Sequence, residues 1–278
     1  MEMVSRSRKM IHYALLTIFS IVMVFPLVWM FLSALKTPEE IFAVPLDWLP
    51  SNPQWGNFAG ALELAPFGLY IFNSTFTAIV IVFFQIILSS MIAYALTQMT
   101  FKGKKLLFNS ILITYMLPAA ATYVPSYVIV AKLGLLDTLA GIIISNIASV
   151  FTIFLMRQAF MQVPKEMIEA ARSEGANDFA VLRKVMMPMC KSSIFTVGLI
   201  SFVQMYNNYL WPSLIVNSQE NYLITVGLNR FFTTSGTFAD QWPLIMAASV
   251  LAVLPLLILF VLLQKWFIKG ISDSGVKG

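Results

Sequence analysis

The chain has 278 residues, 59% hydrophobic and only 11% charged, against about 25% charged in soluble domains. So apolar a sequence cannot hydrate its own surface, which makes the bilayer its solvent. The net charge of +5 follows from where basic residues sit relative to the apolar runs and is no nucleic-acid footprint.

Cutting the sequence at every Asp, Glu, Lys and Arg leaves six charge-free runs of 18 residues or more, at 10–35, 64–101, 106–131, 138–156, 192–219 and 241–264. A membrane helix needs about 20 apolar residues. The runs predict an all-α, polytopic protein with spans at 12–34, 70–97, 107–131, 139–157, 192–216 and 243–266, forming one membrane domain over 1–278. Placing both termini in the cytoplasm gives the inner segments 15 of the 18 Lys and Arg and leaves Lys36, Lys132 and Arg230 outside. That bias sets the expected orientation.

The basic, then apolar N-terminus has too long an apolar run for a signal peptide and no A-x-A-like cleavage site, which predicts an uncleaved first span. His12 has no Cys or second His near it, so no metal site is expected there. Segment 36–69, rich in proline, tryptophan and acid, reads as an ordered outer loop with short turns. Trp48 and Trp55 suit the headgroup layer. Span two carries Asn73 and Gln85 among apolar residues. Span three holds Pro118 and Pro125, seven residues apart, on nearly one helix face. Each removes a backbone hydrogen bond, which predicts a kinked or unwound helix, with Tyr123 and Tyr127 beside it. Leu133-Gly134-Leu135-Leu136-Asp137 predicts a tight outer turn into span four.

Inner segment 158–191 is a polar island. Pro164 suits a first helical turn, and Glu166 and Glu169 favour its N-terminal end. Ala170 and Ala171 are strong helix formers. Gly175 is placed to end the helix in a left-handed residue. Asn177 can cap a second short helix that Pro188 then stops. Cys190, the single cysteine, permits no internal disulfide and reads as core filler. In span five, Gln204, Asn207, Asn208 and Trp211 lie at helical spacing on one face. Amides beside an aromatic ring suit a sugar, whereas the plainer reading is interhelical hydrogen bonding. Outer segment 217–242 contains the turn-rich Thr233-Thr234-Ser235-Gly236-Thr237.

The missing chemistry is equally informative. No charged residue falls in the middle of a span, which weakens a self-powered secondary carrier. There is no phosphate-binding Gly-rich loop, no metal-ligand cluster and no nucleophile set for a membrane enzyme. Uphill movement of a solute would need a partner that supplies energy through the inner loop.

Glu169-Ala170-Ala171, Gly175-Ala176 and Met187-Pro188 resemble the E-A-A loop of binding-protein-dependent ABC importer permeases. The chain as a whole is similar to the carbohydrate-uptake branch, and within it to the second permease of the maltose system. Leu35-Lys36-Thr37-Pro38-Glu39-Glu40, Phe72-Asn73-Ser74, Ala93-Tyr94-Ala95-Leu96, Leu133-Gly134-Leu135-Leu136-Asp137-Thr138 and Gly275-Val276-Lys277-Gly278 support the likeness over essentially the full length. The chain departs from the family at Glu174 (usually Asp), Met187 (usually Leu) and Tyr206-Asn207-Asn208-Tyr209 (usually a Trp-Asn-Glu-Phe-like word).

The resemblance implies a type I importer permease of the bacterial cell membrane and not an enzyme. A coupling helix at about 164–173 would dock on an ATPase through Glu169, Ala170, Ala171, Gly175 and Pro188. The chain would have no cofactor of its own, ATP and magnesium sitting on partner subunits. It implies a second homologous permease, two ATP-binding subunits and an extracytoplasmic solute-binding protein, with membrane lipid around them. Asn73, Gln85, Tyr123, Tyr127, Gln204, Asn207, Asn208 and Trp211 are the candidate solute-path residues. The absence of a basic group at mid-span favours a neutral oligosaccharide, an α-galactoside or malto-oligosaccharide. Glycerol phosphate-type solutes are the alternative.

Overall fold

The computed structural model describes residues 6–234 and 241–275, and every regular element among them is helical. The 235–237 part of the expected outer turn and residues 276–278 of the tail lie outside the described residues. In chain order the elements are α1 (Arg6–Ala34), α2 (Pro38–Ile41), α3 (Gly56–Leu64), α4 (Phe67–Gln98), α5 (Lys104–Tyr115), α6 (Ala119–Lys132), α7 (Leu139–Asn146) and α8 (Val150–Met161). They continue as α9 (Lys165–Ser173), α10 (Asp178–Val181), α11 (Met187–Met189), α12 (Lys191–Tyr206), α13 (Leu210–Ile215), α14 (Ile224–Thr234) and α15 (Trp242–Gly275).

Among the described residues, three single helices are long and apolar enough to cross a membrane: Lys9–Ala34, Phe67–Gln98 and Trp242–Gln264. Three bent pairs raise the number to as many as six if each pair is one span. These are Lys104–Tyr115 with Ala120–Lys132 (102°), Leu139–Asn146 with Val150–Met161 (43°) and Asp178–Met189 with Lys191–Tyr206 (81°).

The kink expected of span three is present, and the runs expected as spans four and five are each divided as well. The chain breaks at Pro118, which is non-helical with ψ 128°, whereas Pro125 stays inside α6; one lost hydrogen bond weakens that helix without ending it. Span four divides because Ser149 accepts a hydrogen bond from Thr152 N and caps a new helix. Span five divides at Asn207, whose N–H and side-chain amide both donate to the Val203 carbonyl. Pro212 explains that break, since in a continuous helix its ring would strike the carbonyl four residues back. In the first turn of α13 it is tolerated.

The chain divides into two compact units. The first comprises residues 1–68 and 228–254. In it, α1 has none of its most apolar window buried inside the chain, so lipid or another subunit must cover it. The outer loop after α1 is ordered by specific bonds. Thr37 and Glu40 form a reciprocal capping box for α2, and the second Glu40 oxygen accepts from Ser51 N. Lys36 is fully buried, lies over the Trp29 ring at 4.8 Å and donates to the Asp47 carbonyl. Trp48 and Trp55 stay exposed, edge-on to Trp29 and Phe31 respectively.

The second unit comprises residues 69–227 and 255–278. Its core at the outer-turn end gathers Ile81, Val130, Ile142, Trp211, Ile215 and Val226. The turn is closed twice. Gly134 (φ +68°) ends α6, with Gly134 N bonded to Ala131 O and Leu135 N to Val130 O, the pairing of a Schellman cap. Asp137 then takes a left-handed φ of +54°, which Asp tolerates better than most residues. Its Oδ1 accepts from Asn217 N and Ser218 N at 2.9 Å each, its Oδ2 accepts from the Ser218 hydroxyl, and its carbonyl accepts from Asn221 Nδ2.

The Ser218 hydroxyl first, then the Ser218 and Asn217 amides, draw the Asp137 carboxyl down to about 2. A depressed carboxyl stabilises the fold above its unfolded value and loses that contribution as pH falls through the folded one. Detergent melting temperature should therefore stay flat from neutral pH to about 4 and fall below it. Asp137→Ala should lower it at neutral pH by the equivalent of about 1 kcal/mol, because solvent screens the site. An Ala variant that melts like the wild type would show that the knot contributes nothing.

Candidate functional site

The inner segment is built from residues that alternate between a buried and an exposed face. Helix α9 starts after Pro164 and carries Glu166 in its first turn and Arg172 in its last, charges that match the helix dipole. Ile168 is 3% exposed and Ala171 packs beside it, both against a cluster of Ala93 and Tyr94 on α4, Met156 and Phe160 on α8, and Val181 and Met186. Glu169 and Ala170 face outward with Met167.

The two alanines expected on one docking surface therefore lie on different faces of α9. Residues three apart share a helix face. Ala170 therefore belongs with exposed Met167, and Ala171 with buried Ile168.

The helix ends as a Schellman cap. Gly175 has φ +85°. Its N–H donates to Arg172 O at 2.9 Å and Ala176 N donates to Ala171 O at 3.0 Å. Asn177 Oδ1 then accepts from Ala180 N at 2.8 Å and caps α10.

Pro188 does not stop this second limb. The chain widens into a π-helical segment, Leu182–Met186, in which Met187 N bonds Leu182 O, and continues through α11 to Cys190. In a regular helix the Pro188 ring would strike the carbonyl of Lys184. The wider turn gives it room, and the stop moves to Cys190, where the chain turns 81° into α12. Cys190 is buried in the same cluster and its Sγ lies 3.5 Å from Ala159 O, so it is core filler.

A polar clasp crosses from this segment to α4. The Tyr94 hydroxyl donates to Asp178 Oδ1 at 2.6 Å, and Arg172 Nη2 donates to the same oxygen at 3.0 Å. Arg172 Nη2 also lies 3.4 Å from the Tyr94 oxygen. The three residues belong to α9, α10 and α4. Local spacing carries no signal for this set, because Tyr94 is 84 positions from Asp178.

What the segment offers outward is two large apolar side chains, Met167 at 50% exposure and Phe179 at 63%, among exposed charges of both signs: Glu169 and Glu174 with Lys165, Arg172, Arg183 and Lys184. Large exposed apolar side chains on an otherwise charged loop mark a contact surface.

The expected solute-path residues are not gathered into one site. Asn73 is buried and donates to the carbonyls of Glu220 and Tyr222. Gln85 is buried and its Nε2 donates to Asn146 O at 2.7 Å. Trp211 is buried, donates to Ser145 Oγ at 2.7 Å and stacks on Tyr123 at 5.6 Å. These are packing roles. Asn207 ends α12, and the Asn208 carbonyl accepts from Thr225 Oγ1. Because of the break at 207–209, Trp211 does not continue the helix face of Gln204 and Asn207. Gln204 is exposed and lines a groove with Leu199, Val203, Leu256 and Phe260. Tyr127 is 38% exposed. Among the described residues no group of His, Cys, Asp and Glu could hold a metal ion.

The profile of the family described as binding-protein-dependent transport system inner membrane component matches residues 85–273. The sn-glycerol-3-phosphate transport system permease protein UgpE of Pectobacterium atrosepticum is 32% identical, covering 97% of this chain and 98% of its own length. That of Brucella abortus is 31% identical, covering 96% of each. A chain in the crystal structure of a bacterial ABC transporter involved in the import of the acidic polysaccharide alginate superposes with TM-score 0.85 at 25% identity, over 96% of this chain and all of that one. A chain of the alginate transporter solved with its pentasaccharide-bound periplasmic protein shares the fold, with TM-score 0.68 at 14% identity over 92% and 93%.

Proposed function

Because this chain belongs to the binding-protein-dependent transport system inner membrane components, we propose that its inner segment is the lever through which an ATPase drives solute import. The chain is a bacterial inner-membrane permease subunit of an ABC importer, not an enzyme. Energy therefore has to arrive from outside it, through a surface that another protein can grip. The observation that carries the reading is the two-faced α9–α10 segment. Ile168 and Ala171 are seated in the helix core, while Met167, Ala170 and Phe179 point away from it.

In this reading the N- and C-termini and the α9–α10 loop lie in the cytoplasm. A second permease of the same kind completes the translocation path, and two ATP-binding subunits, which hold ATP and magnesium, dock on the loops. An extracytoplasmic binding protein delivers the solute. Glu169→Lys reverses an exposed charge on the gripping face. It should cut co-purification of the ATPase subunits at least fivefold at moderate salt, with membrane insertion unchanged. Unaltered co-purification would remove Glu169 from the contact.

The solute we propose is of the sn-glycerol 3-phosphate type, since full-length relatives at 31–32% identity are named for it. This takes up the alternative reading of the sequence in preference to a neutral oligosaccharide. An oligosaccharide keeps one specific support, the alginate importer chain at TM-score 0.85. Mid-span cations are absent from this chain in either case, so a phosphate would draw its counter-charge from the partner permease. Uptake by the reconstituted complex of radiolabelled sn-glycerol 3-phosphate, malto-oligosaccharide, α-galactoside and an acidic oligosaccharide decides between them. Glycerol phosphate should be taken up best. Preference for an uncharged sugar would overturn the assignment.

A further inference from the structure

We propose that Tyr94 is a positioning residue for coupling: its hydroxyl joins the inner lever to α4, and α4 acts as the rod that carries lever movement to the α7–α8 break. The inference rests on the lever reading above and adds the path that the movement takes.

The clasp is placed where a linkage would have to be. Arg172 occupies the last turn of α9, Asp178 opens α10, and one carboxylate oxygen, Asp178 Oδ1, receives both Arg172 Nη2 at 3.0 Å and the Tyr94 hydroxyl at 2.6 Å. The two limbs of the lever are thus tied to each other and to α4 at a single atom. The Arg172 and Asp178 side chains are 45% and 48% exposed, so the clasp adds little to stability and its value lies in fixing the geometry of the two limbs against α4. Tyr94 itself is 3% exposed and its ring is packed in the cluster that holds Ile168 and Ala171. The ring supplies grip and the hydroxyl supplies direction.

From Tyr94, α4 runs without a proline or a break. Nine residues earlier, about 13 Å along the axis, Gln85 Nε2 holds the Asn146 carbonyl at the end of α7. Beyond Asn146 the chain leaves the helix and bends by 43° into α8. One rigid helix therefore connects the lever to the break.

The buried face of the rod also carries polar atoms that no other protein atom within the chain bonds. Gln85 Oε1, Ser89 Oγ and Ser90 Oγ are buried and without a hydrogen-bond partner. Orphaned polar atoms are costly in an interior. A small displacement of α4 that brings them to carbonyls or hydroxyls of neighbouring helices would recover that cost.

Tyr94→Phe keeps the ring and deletes the link, and Asp178→Asn weakens it from the other side. In the complete complex reconstituted in proteoliposomes, each should lower solute moved per ATP hydrolysed by about fivefold, with detergent melting temperature and ATPase co-purification at wild-type values. The double variant should lose no more than the worse single one, because both remove the same link. A merely structural role would change melting and leave the transport-to-hydrolysis ratio alone.

Ala170→Cys, on the exposed face of α9, reports on the lever itself. If it crosslinks to the ATPase subunits while Tyr94→Phe and Asp178→Asn transport with normal stoichiometry, the rod is wrong and the lever stands. If no crosslink forms, the lever reading falls and the rod with it.

Discussion

Gly175→Pro should reduce uptake by the reconstituted complex to background while leaving membrane insertion and pairing with the second permease intact. Three consequences of the substitution act at one turn. Gly175 has φ +85°, and proline is fixed near −65°. The Gly175 N–H that bonds the Arg172 carbonyl at 2.9 Å disappears. Glu174, now preceding a proline, is pushed out of the helical region it occupies at φ −78°, ψ 4°. The Schellman cap cannot form, so α9 no longer ends where Arg172 meets Asp178.

Gly175→Ala is the control that separates strain from shape. A Cβ there meets nothing within 4 Å, so Ala suffers only the left-handed backbone penalty of about 1–2 kcal/mol. It should retain a reduced, measurable uptake, several-fold below wild type. Gly175 itself is exposed, so the added atoms of either variant enter solvent and yield in detergent should be unaffected. Wild-type uptake by Gly175→Pro with the ATPase attached would mean that this turn does not govern coupling.

How much could be read in advance depends on whether the cause was local. The Gly175 turn was legible because a glycine after an Ala-rich helix, followed by Asn177, states its conformation in a few adjacent residues. The same holds for Gly134 and the outer turn. The apolar runs matched the membrane-capable stretches Lys9–Ala34, Phe67–Gln98 and Trp242–Gln264 to within three residues, since hydrophobic length is a local property, although α1 begins six residues earlier and α15 ends nine residues later than the expected spans.

The breaks were harder. Pro118 and Pro125 look alike in sequence, yet only the first interrupts the helix: Pro118 stands outside α6 with ψ 128° and Pro125 stays within it, a difference that residue type alone does not state. Pro212 was a readable signal for the break at 207–209 and outweighed the helical spacing of Gln204, Asn207, Asn208 and Trp211. Pairings such as Tyr94 with Asp178, Gln85 with Asn146, or Asp137 with Ser218 depend on tertiary folding over 61 to 84 positions. No spacing rule reaches that far. For the same reason composition does not foretell that Trp211 bonds Ser145 or that Asn73 bonds the Glu220 and Tyr222 carbonyls.

The second large effect is expected at a glycine that sequence inspection passes over. Gly141→Ala should sharply lower the yield of folded protein and its detergent melting temperature, although the change adds one methyl group in the first turn of a helix. A Cβ at Gly141 would lie 2.2 Å from the Leu135 carbonyl oxygen. That oxygen is backbone and cannot rotate away as a side chain would. It also accepts the Thr138 hydroxyl at 2.8 Å, and that hydroxyl in turn caps α7 by accepting from Gly141 N at 3.0 Å. Relief of the clash therefore takes the cap with it, about 1 kcal/mol, in addition to roughly 1–3 kcal/mol for overpacking. The displaced turn carries Asp137, whose bonds to Asn217, Ser218 and Asn221 hold the start of α7 to the segment after α13, so the damage spreads beyond one turn. Gly68→Ala provides the comparison, since its Cβ would meet nothing within 4 Å and helix propensity alone favours alanine there. Equal melting of the two variants would show that the Leu135 carbonyl yields freely, and the close packing of this turn would then contribute nothing to the outer knot.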